Sequence, residues 1–499
     1  MKGLQFVALD LGAESGRTML AAFDGDRLRL SEVYRFLNTP VRVLDHLHWN
    51  VLQLWSEIKS GLGAAASARE GEIAGIGVDT WGVDFALLDR NGELLGIPFH
   101  YRDERVKGML EEAFHRVPRE EIFQRTGNQF LEINTLYQLL SMVYQGSDAL
   151  PASDTLMMMP ELFNYWLTGE RASEFTIATT SQCYDPRQKD WARAMLERMG
   201  IPTRIFLDIV QPGTVLGKIL PSLAEETGLK DVPVVATACH DTGAAMAAIP
   251  AEGTGFACIS SGTWSVLGTV WDEPVISREA LRYDFTNEGG VCDTTRVLKN
   301  IAGLWLVQQC RATWARRGEV YSYAELADMA AEAPPFQAII DPDYDEFLSH
   351  GDMPARIQAY CRKTEQPVLE DKGAMIRSIL EGLALKYRLN LERLERIVGQ
   401  ALSPLHIVGG GTQNKLLNQL TADATGRLVL TGPVEATALG NVLMQALAVG
   451  QIGSLQEGRA LIRRSFPVEK YEPRSEARED WDRAYERMSS LVTAESSVS

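Results

Sequence analysis

One carboxylate in this chain stands beside residues that suit a phosphate. Asp241 lies in Ala238-Cys239-His240-Asp241-Thr242-Gly243; the apolar run 232–238 before it reads as a buried strand and the Ala-rich run after it as a short helix. Further on, a second apolar run, 256–259, stops at Ser260-Ser261-Gly262-Thr263 and resumes at 264–270, which predicts strand, tight turn and strand. Hydroxyls with a glycine suit phosphate oxygens. A carboxylate placed to take a proton from an attacking hydroxyl is what phosphoryl transfer asks of a protein, besides phosphate cradles and a metal. Asp and Thr also favour helix N-caps, so on this stretch alone a capping role for Asp241 competes evenly with a catalytic one.

Two other stretches carry similar chemistry. In Ala13-Glu14-Ser15-Gly16-Arg17 a glycine lets backbone N–H groups converge on an anion, and Arg17 offers a planar fork of donors. Taken alone, the same string is more often an ordinary hairpin turn. Asp10 ends the buried strand beside it, where a carboxylate is costly unless paired or holding a cation, and Mg2+ bound through water is the natural partner. Gly409-Gly410-Gly411 falls between a strand and a helix, so bare backbone there can lie against a base or ribose; a tight connection explains it equally.

Other motifs fail. The string 213–219 has the wrong glycine spacing for a Walker A loop and no hydroxyl after Lys218. Gly75-x-Gly77 lies inside a strand-like run, with no third glycine opening a helix, so it is not a dinucleotide fingerprint. Trp81 and Phe85 read as core aromatics before pocket walls, and His100 and His406 as structural. Asp79 and Asp84 read as turn residues ahead of pocket carboxylates.

The elements that must position these residues follow from periodicity. Residues 5–37 form a strand meander closed at Asp24-Gly25, 51–68 a helix, 73–79 a buried strand, and Asn91-Gly92 the turn of a further hairpin. Strands, helix, strand is the ribonuclease-H-like order and unlike a βαβ repeat. Residues 106–230 read as a helical elaboration, 333–355 as an acidic surface excursion, 371–398 as a long amphipathic helix, 405–408 as a strand, 436–449 as a helix and 469–488 as a peripheral helix. The hairpins DLGAESGRTMLAAF and CISSGTWSVLGTV echo each other.

Composition bounds the partners. A chain of 499 residues is long for one core, so two domains are expected, 1–249 and 250–499, the second with the C-terminal helix. A formal charge of -17 argues against a nucleic-acid surface. The six scattered cysteines lack zinc spacing and read as reduced cytoplasmic thiols. The N-terminus reads as a strand rather than a signal peptide, and no run approaches membrane-spanning length, so no membrane partner is expected.

Taken together, the motifs DLGAESGR, GVDTWGVDFALLDRNGELLG, ACHDTGAA, ISSGTWSVLG, the segment 287–311 and IVGGGTQNKLLNQLTADATGR resemble the FGGY carbohydrate kinases of the actin-like superfamily. The resemblance spans residues 4 to about 470, with no motif position replaced and looser agreement over 106–230 and 330–365. It implies an α/β fold of two ribonuclease-H-like (actin-like ATPase) domains flanking a nucleotide and sugar cleft, the first mainly sugar-binding and the second mainly ATP-binding. It further implies a cytoplasmic kinase, monomeric or a small homo-oligomer, using ATP with Mg2+ held near Asp10. By the resemblance, Asp241 is the general base; Ala13, Glu14, Ser15, Gly16, Arg17, Thr263, Gln308 and Gly410 bind ATP; and Gly82, His240, Asp241, Thr242 and Asn300 face the sugar. The His-Asp-Thr triplet and the VDTWGVDF block favour L-rhamnulose, phosphorylated at C1, over glycerol or xylulose. L-fuculose, D-xylulose or another ketose is the alternative substrate, and a switch ATPase without a sugar the alternative class. Closure of the domains on ligand is expected, because water in an open site would compete for the phosphoryl group.

Overall fold

The computed structural model describes residues 3–349 and 351–496. The chain forms two compact units, and neither is a continuous half: Met1–Glu252, Val270–Val297 and Ala436–Phe466 make the first, and Gly253–Thr269, Leu298–Glu435 and Pro467–Ser499 the second.

In the first unit β1 (Leu4–Leu11), β2 (Ser15–Phe23) and β3 (Leu28–Leu37) form the expected antiparallel meander. Asp24 closes its second turn by accepting from the N–H of Asp26 and of Arg27 at 3.0 and 2.8 Å. The helix Val51–Ala68 is capped by Asn50 and buries Leu54, Ile58 and Leu62. It returns the chain as β4 (Glu72–Thr80), parallel to β1. With β5 (Thr214–Lys218) and β6 (Pro233–Ala236) the order is β5-β6-β4-β1-β2-β3, the ribonuclease-H-like arrangement.

Gly75 and Gly77 have a packing reason. A Cβ on Gly77 would come within 2.4 Å of Asn441 Oδ1, and one on Gly75 within 2.8 Å of Gln445 Oε1. Both side chains belong to the helix Ala436–Ala448, which lies over β4 only because the strand is bare there. Gln445 Nε2 donates to Val7 O at 2.9 Å and to Asn441 Oδ1 at 2.7 Å, so the late helix is tied to the first strand by a buried amide pair.

Three expectations need correction. The hairpin at Asn91-Gly92 is a turn without a second strand: Asp89 accepts from the N–H of Asn91 and Glu93, but the strand Phe85–Leu88 pairs with Thr155–Met158. Gly96 and Pro98 interrupt the returning arm, leaving one bridge from Leu88 to Leu94. The segment 333–355 is no surface excursion, since Ala338, Ile339, Ile340, Asp341 and Phe347 are buried. Its acidity misleads because Asp341 is neutralised by the buried Lys386, whose Nζ donates to both its oxygens at 2.7 and 3.0 Å. The stretch 469–488 begins as a strand and only then becomes the helix Arg478–Ser496.

A second, mixed sheet is made of β7 (Ala257–Ser261), β8 (Trp264–Trp271), β9 (Thr295–Ala302), β10 (Leu405–Val408), β11 (Val429–Thr431) and β12 (Glu469–Tyr471), in the order β9-β8-β7-β10-β11-β12, with the short strand Thr286–Gly289 at its edge beside β9. β7 and β8 are an antiparallel hairpin, and β10 runs parallel to β7. The helix Lys372–Val398, capped by Asp371 at its start and Gly399 at its end, buries Ile376, Ile379, Leu380, Leu383, Leu391 and Leu394 as its period predicts.

Candidate active site

β6 ends at Ala236, and the helix Asp241–Ala247 begins after a short extended link. His240, in extended backbone, is the cap and Asp241 the first helical residue, so Asp241 is not the N-cap. Its Oδ1 accepts from the N–H and Oγ1 of Thr242 at 2.5 and 3.1 Å, and His240 Nε2 lies 3.3 Å away. Among the described residues its Oδ2 accepts no hydrogen bond, and the side chain keeps 33% of its exposure, enough to reach a ligand.

The link is held from beneath. Cys239 N–H donates to Glu174 Oε2 and His240 N–H to Thr176 Oγ1, each at 3.2 Å. Burial pushes the Glu174 carboxyl up to about 7, against N–H donors from Thr176, Ile177 and Cys239 that favour its charged form. Thr80, at the end of β4, bridges to His240 and donates its N–H to Cys239 O at 2.9 Å, which brings the block 77–85 alongside Asp241.

Gly82 follows directly, with the Thr180 side chain 3.2 Å from where its Cβ would stand. Trp81 and Phe85 are buried, as core residues are. Asp84 is no turn residue: it is fully buried and gathers Trp49 Nε1 at 2.6 Å, Trp81 Nε1 at 3.0 Å, Tyr101 N–H at 3.2 Å and Gln138 Nε2 at 2.8 Å. Burial lifts its carboxyl to about 6 even against these four donors.

Sequence reasoning missed two residues here, Glu288 and Arg296. Arg296 Nη2 stands 3.1 Å from His240 Nδ1 and 3.1 Å from Glu288 Oε2, which is itself 3.3 Å from His240 Nδ1. Burial works to raise the Glu288 carboxyl, but Arg296 and His240 together hold it below the usual carboxylate range. A weak signal was available: Arg296 stands in a strand-like stretch beside Val297 and Leu298, and Glu288 precedes a Gly pair.

On the other side of β4, Asp10 and Arg17 are cross-strand partners joined at 2.5 Å. Gly16 is required by Phe36, whose ring would lie 2.1 Å from a Cβ there. Asp79 is fully buried, and burial and the neighbouring Asp10 charge push its carboxyl well above the usual range, with Asp241 adding to the push and Asn441 opposing it. Among the described residues nothing donates a hydrogen bond to its Oδ1. Among the described residues no group of three or more His, Cys, Asp or Glu converges as a metal cage. Mg2+ in kinases is held by one or two carboxylates with substrate phosphates and water, and Asp10 with the orphaned oxygen of Asp79 fits that need.

The remaining candidates lie in the second unit. The Gly262-Thr263 turn between β7 and β8 is clamped by backbone: Gly303 N–H donates to Thr263 O at 3.1 Å and Leu304 N–H to Gly262 O at 3.0 Å. Gln308 Nε2 donates to Thr263 Oγ1 at 3.1 Å, uniting two of the expected nucleotide residues. Gly409 adopts φ 87°, which favours glycine, and a Cβ on Gly411 would strike Ser261 Oγ at 2.0 Å. Among the described residues nothing stands within 4 Å of a Cβ on Gly410, so this position of the three is left open. Asn300 is half-buried on β9.

Residues 5–248 match the N-terminal domain of the FGGY family of carbohydrate kinases, and residues 257–449 its C-terminal domain. The chain is 44% identical to a rhamnulokinase of Bacteroides thetaiotaomicron over 96% of this chain and 98% of that protein. It is 41% identical to a rhamnulokinase of Pectobacterium atrosepticum, covering 94% and 93%. A gluconate kinase structure from Lactobacillus acidophilus superposes with a TM-score of 0.84 at 16% identity, covering 99% of this chain and 98% of that one. A xylulose kinase structure from the same organism gives 0.82 at 16% identity, covering 98% of each, and both are likenesses of fold. The chain belongs to the FGGY family of carbohydrate kinases.

Proposed function

We propose that this carbohydrate kinase transfers the γ-phosphoryl group of ATP to the C1 hydroxyl of L-rhamnulose, giving L-rhamnulose 1-phosphate and ADP in L-rhamnose breakdown, with Asp241 as general base. The observation that carries the reading is the state of that carboxylate: Oδ1 is held by Thr242, while among the described residues Oδ2 accepts nothing, and the side chain is a third exposed. The substrate name draws on rhamnulokinase relatives that match nearly the whole chain.

A sugar hydroxyl is too weak an acid to ionise beforehand, so Asp241 acts as the O–P bond forms and the bond to the ADP oxygen breaks. The hydroxyl proton passes to Asp241 Oδ2, and the leaving electron pair stays on ADP. Gly82, His240, Thr242 and Asn300 orient the sugar. The turn 13–17, Thr263, Gln308 and Gly410 receive the nucleotide; a hydroxyl and an open glycine there meet phosphate and ribose without steric cost. Asp10, helped by Asp79, would hold Mg2+, which when bound neutralises charge on the phosphate oxygens. Phosphorus NMR of the product tests the assignment: a sugar phosphate ester coupled to the C1 protons is expected, and an ester elsewhere, or inorganic phosphate without a sugar ester, would overturn it.

A further inference from the structure

We propose that Arg296 and Glu288 are positioning residues that hold the His240 ring as the tautomer with its hydrogen on Nε2, turned toward Asp241. The inference rests on Asp241 being the base, but its own evidence is geometric.

Arg296 can only donate hydrogen bonds, and its Nη2 makes one with His240 Nδ1 at 3.1 Å. Nδ1 is therefore the lone-pair atom, and the hydrogen of a neutral ring sits on Nε2. Nε2 is the atom 3.3 Å from Asp241 Oδ1. The opposite tautomer would set Nδ1–H against Arg296 Nη2–H, two donors facing each other at 3.1 Å, with Glu288 Oε2 3.3 Å away as the competing acceptor.

The guanidinium cannot swing away to allow the exchange. Its side chain is 1% exposed, its Nε donates to Gly289 O at 2.7 Å, and its Cζ would stand 3.5 Å from a Cβ on Gly243 in the first turn of the Asp241 helix. Glu288 supplies the opposite charge, at 3.1 Å, that such a buried cation needs. The consequence for catalysis is directional. With Thr242 donating to Oδ1 and Nε2–H facing the same oxygen at 3.3 Å, Oδ2 is the oxygen offered to the sugar hydroxyl.

The test is a long-range proton–nitrogen correlation spectrum of the full chain labelled with nitrogen-15 in histidine, near neutral pH, with His240 assigned by its loss in His240→Gln. A bare Nδ1 and a protonated Nε2 are expected. A protonated Nδ1, or an imidazolium with both nitrogens protonated, would overturn the proposal from the wild-type spectrum alone, even if the variants do not fold. Arg296→Met is expected to yield mixed tautomers and to lower kcat roughly ten- to a hundredfold, as loss of a side chain that orients a working histidine does, with KM for ATP unchanged. Arg296→Lys should recover part of both. A folded Arg296→Met with the wild-type tautomer and kcat would also overturn it. Failure of the general-base reading is separate: it would show as an active Asp241→Asn, whatever the tautomer.

Discussion

Asp10 and Asp79 are register partners on the neighbouring parallel strands β1 and β4, yet only the first has its charge met by a nearby cation in direct contact. Asp10 joins Arg17, while Asp79 is fully buried and receives one amide, Asn441 Nδ2 at 2.6 Å. That amide comes from the helix Ala436–Ala448, so the C-terminal part of the chain supports β1 and β4 of the first unit.

Asn441→Ala removes the donor and leaves a buried carboxyl without a partner. The expected cost is about 1–3 kcal/mol of stability, read from urea unfolding midpoints. An unchanged midpoint would show that Asp79 does not depend on Asn441.

Gly440→Ala tests how that helix seats Asp241. A Cβ at Gly440 would fall 1.7 Å from Ala244 O, in the helix that begins with Asp241, so one of the two helices must move. A stability loss of about 1–3 kcal/mol is expected, with a fall in kcat at low temperature where the variant is still folded. Retained stability and rate would mean the helices part without disturbing Asp241.

Gly411→Ala acts in the second unit. Its methyl would displace Ser261 Oγ, now 2.0 Å from that position, at the end of the strand leading to Thr263. KM for ATP should rise at least severalfold while KM for the sugar holds. The reverse split would remove the Gly-rich turn from the nucleotide site.

Glu161 makes stability depend on pH. Burial pushes its carboxyl up to about 8, against N–H donors from Glu174 and Met158. The native state thus keeps a proton that the unfolded chain releases near the ordinary carboxylate value, so this contribution is whole below that value and is lost as pH rises through about 8. Urea midpoints measured from about pH 5 to about pH 9 should fall more steeply in the wild type than in Glu161→Gln. Parallel slopes would refute the assignment.

Much of the frame was legible because it is local. Asp24-Gly25 fixes a hairpin by its own side chain, and the 371–398 period needs only one buried face, so β2, β3 and the long helix appear where periodicity puts them. Asp241, between a strand and a helix, and Thr263, as a turn hydroxyl, stood out as candidates from the residues themselves, whereas Gly82 entered only through the family resemblance. What stayed hidden depends on residues far apart in the chain. Asp84 reads as a turn residue until Trp49 and Gln138 arrive, Gly77 as a strand glycine without a stated reason until Asn441 supplies one, and Asp341 as surface until Lys386 neutralises it. Glu288 and Arg296 escaped for the same reason, since nothing near either in sequence announces His240.

The most direct test of the central claim is ADP release with Mg-ATP across L-rhamnulose, L-fuculose, D-xylulose, L-ribulose, glycerol and no sugar, for the wild type and Asp241→Asn, with ATP binding measured alongside. The account predicts strong preference for L-rhamnulose, and in Asp241→Asn a kcat lower by roughly 10²- to 10⁴-fold with ATP binding intact. Preference for another sugar would overturn the substrate, and turnover that needs no sugar or survives in Asp241→Asn would contradict the mechanism.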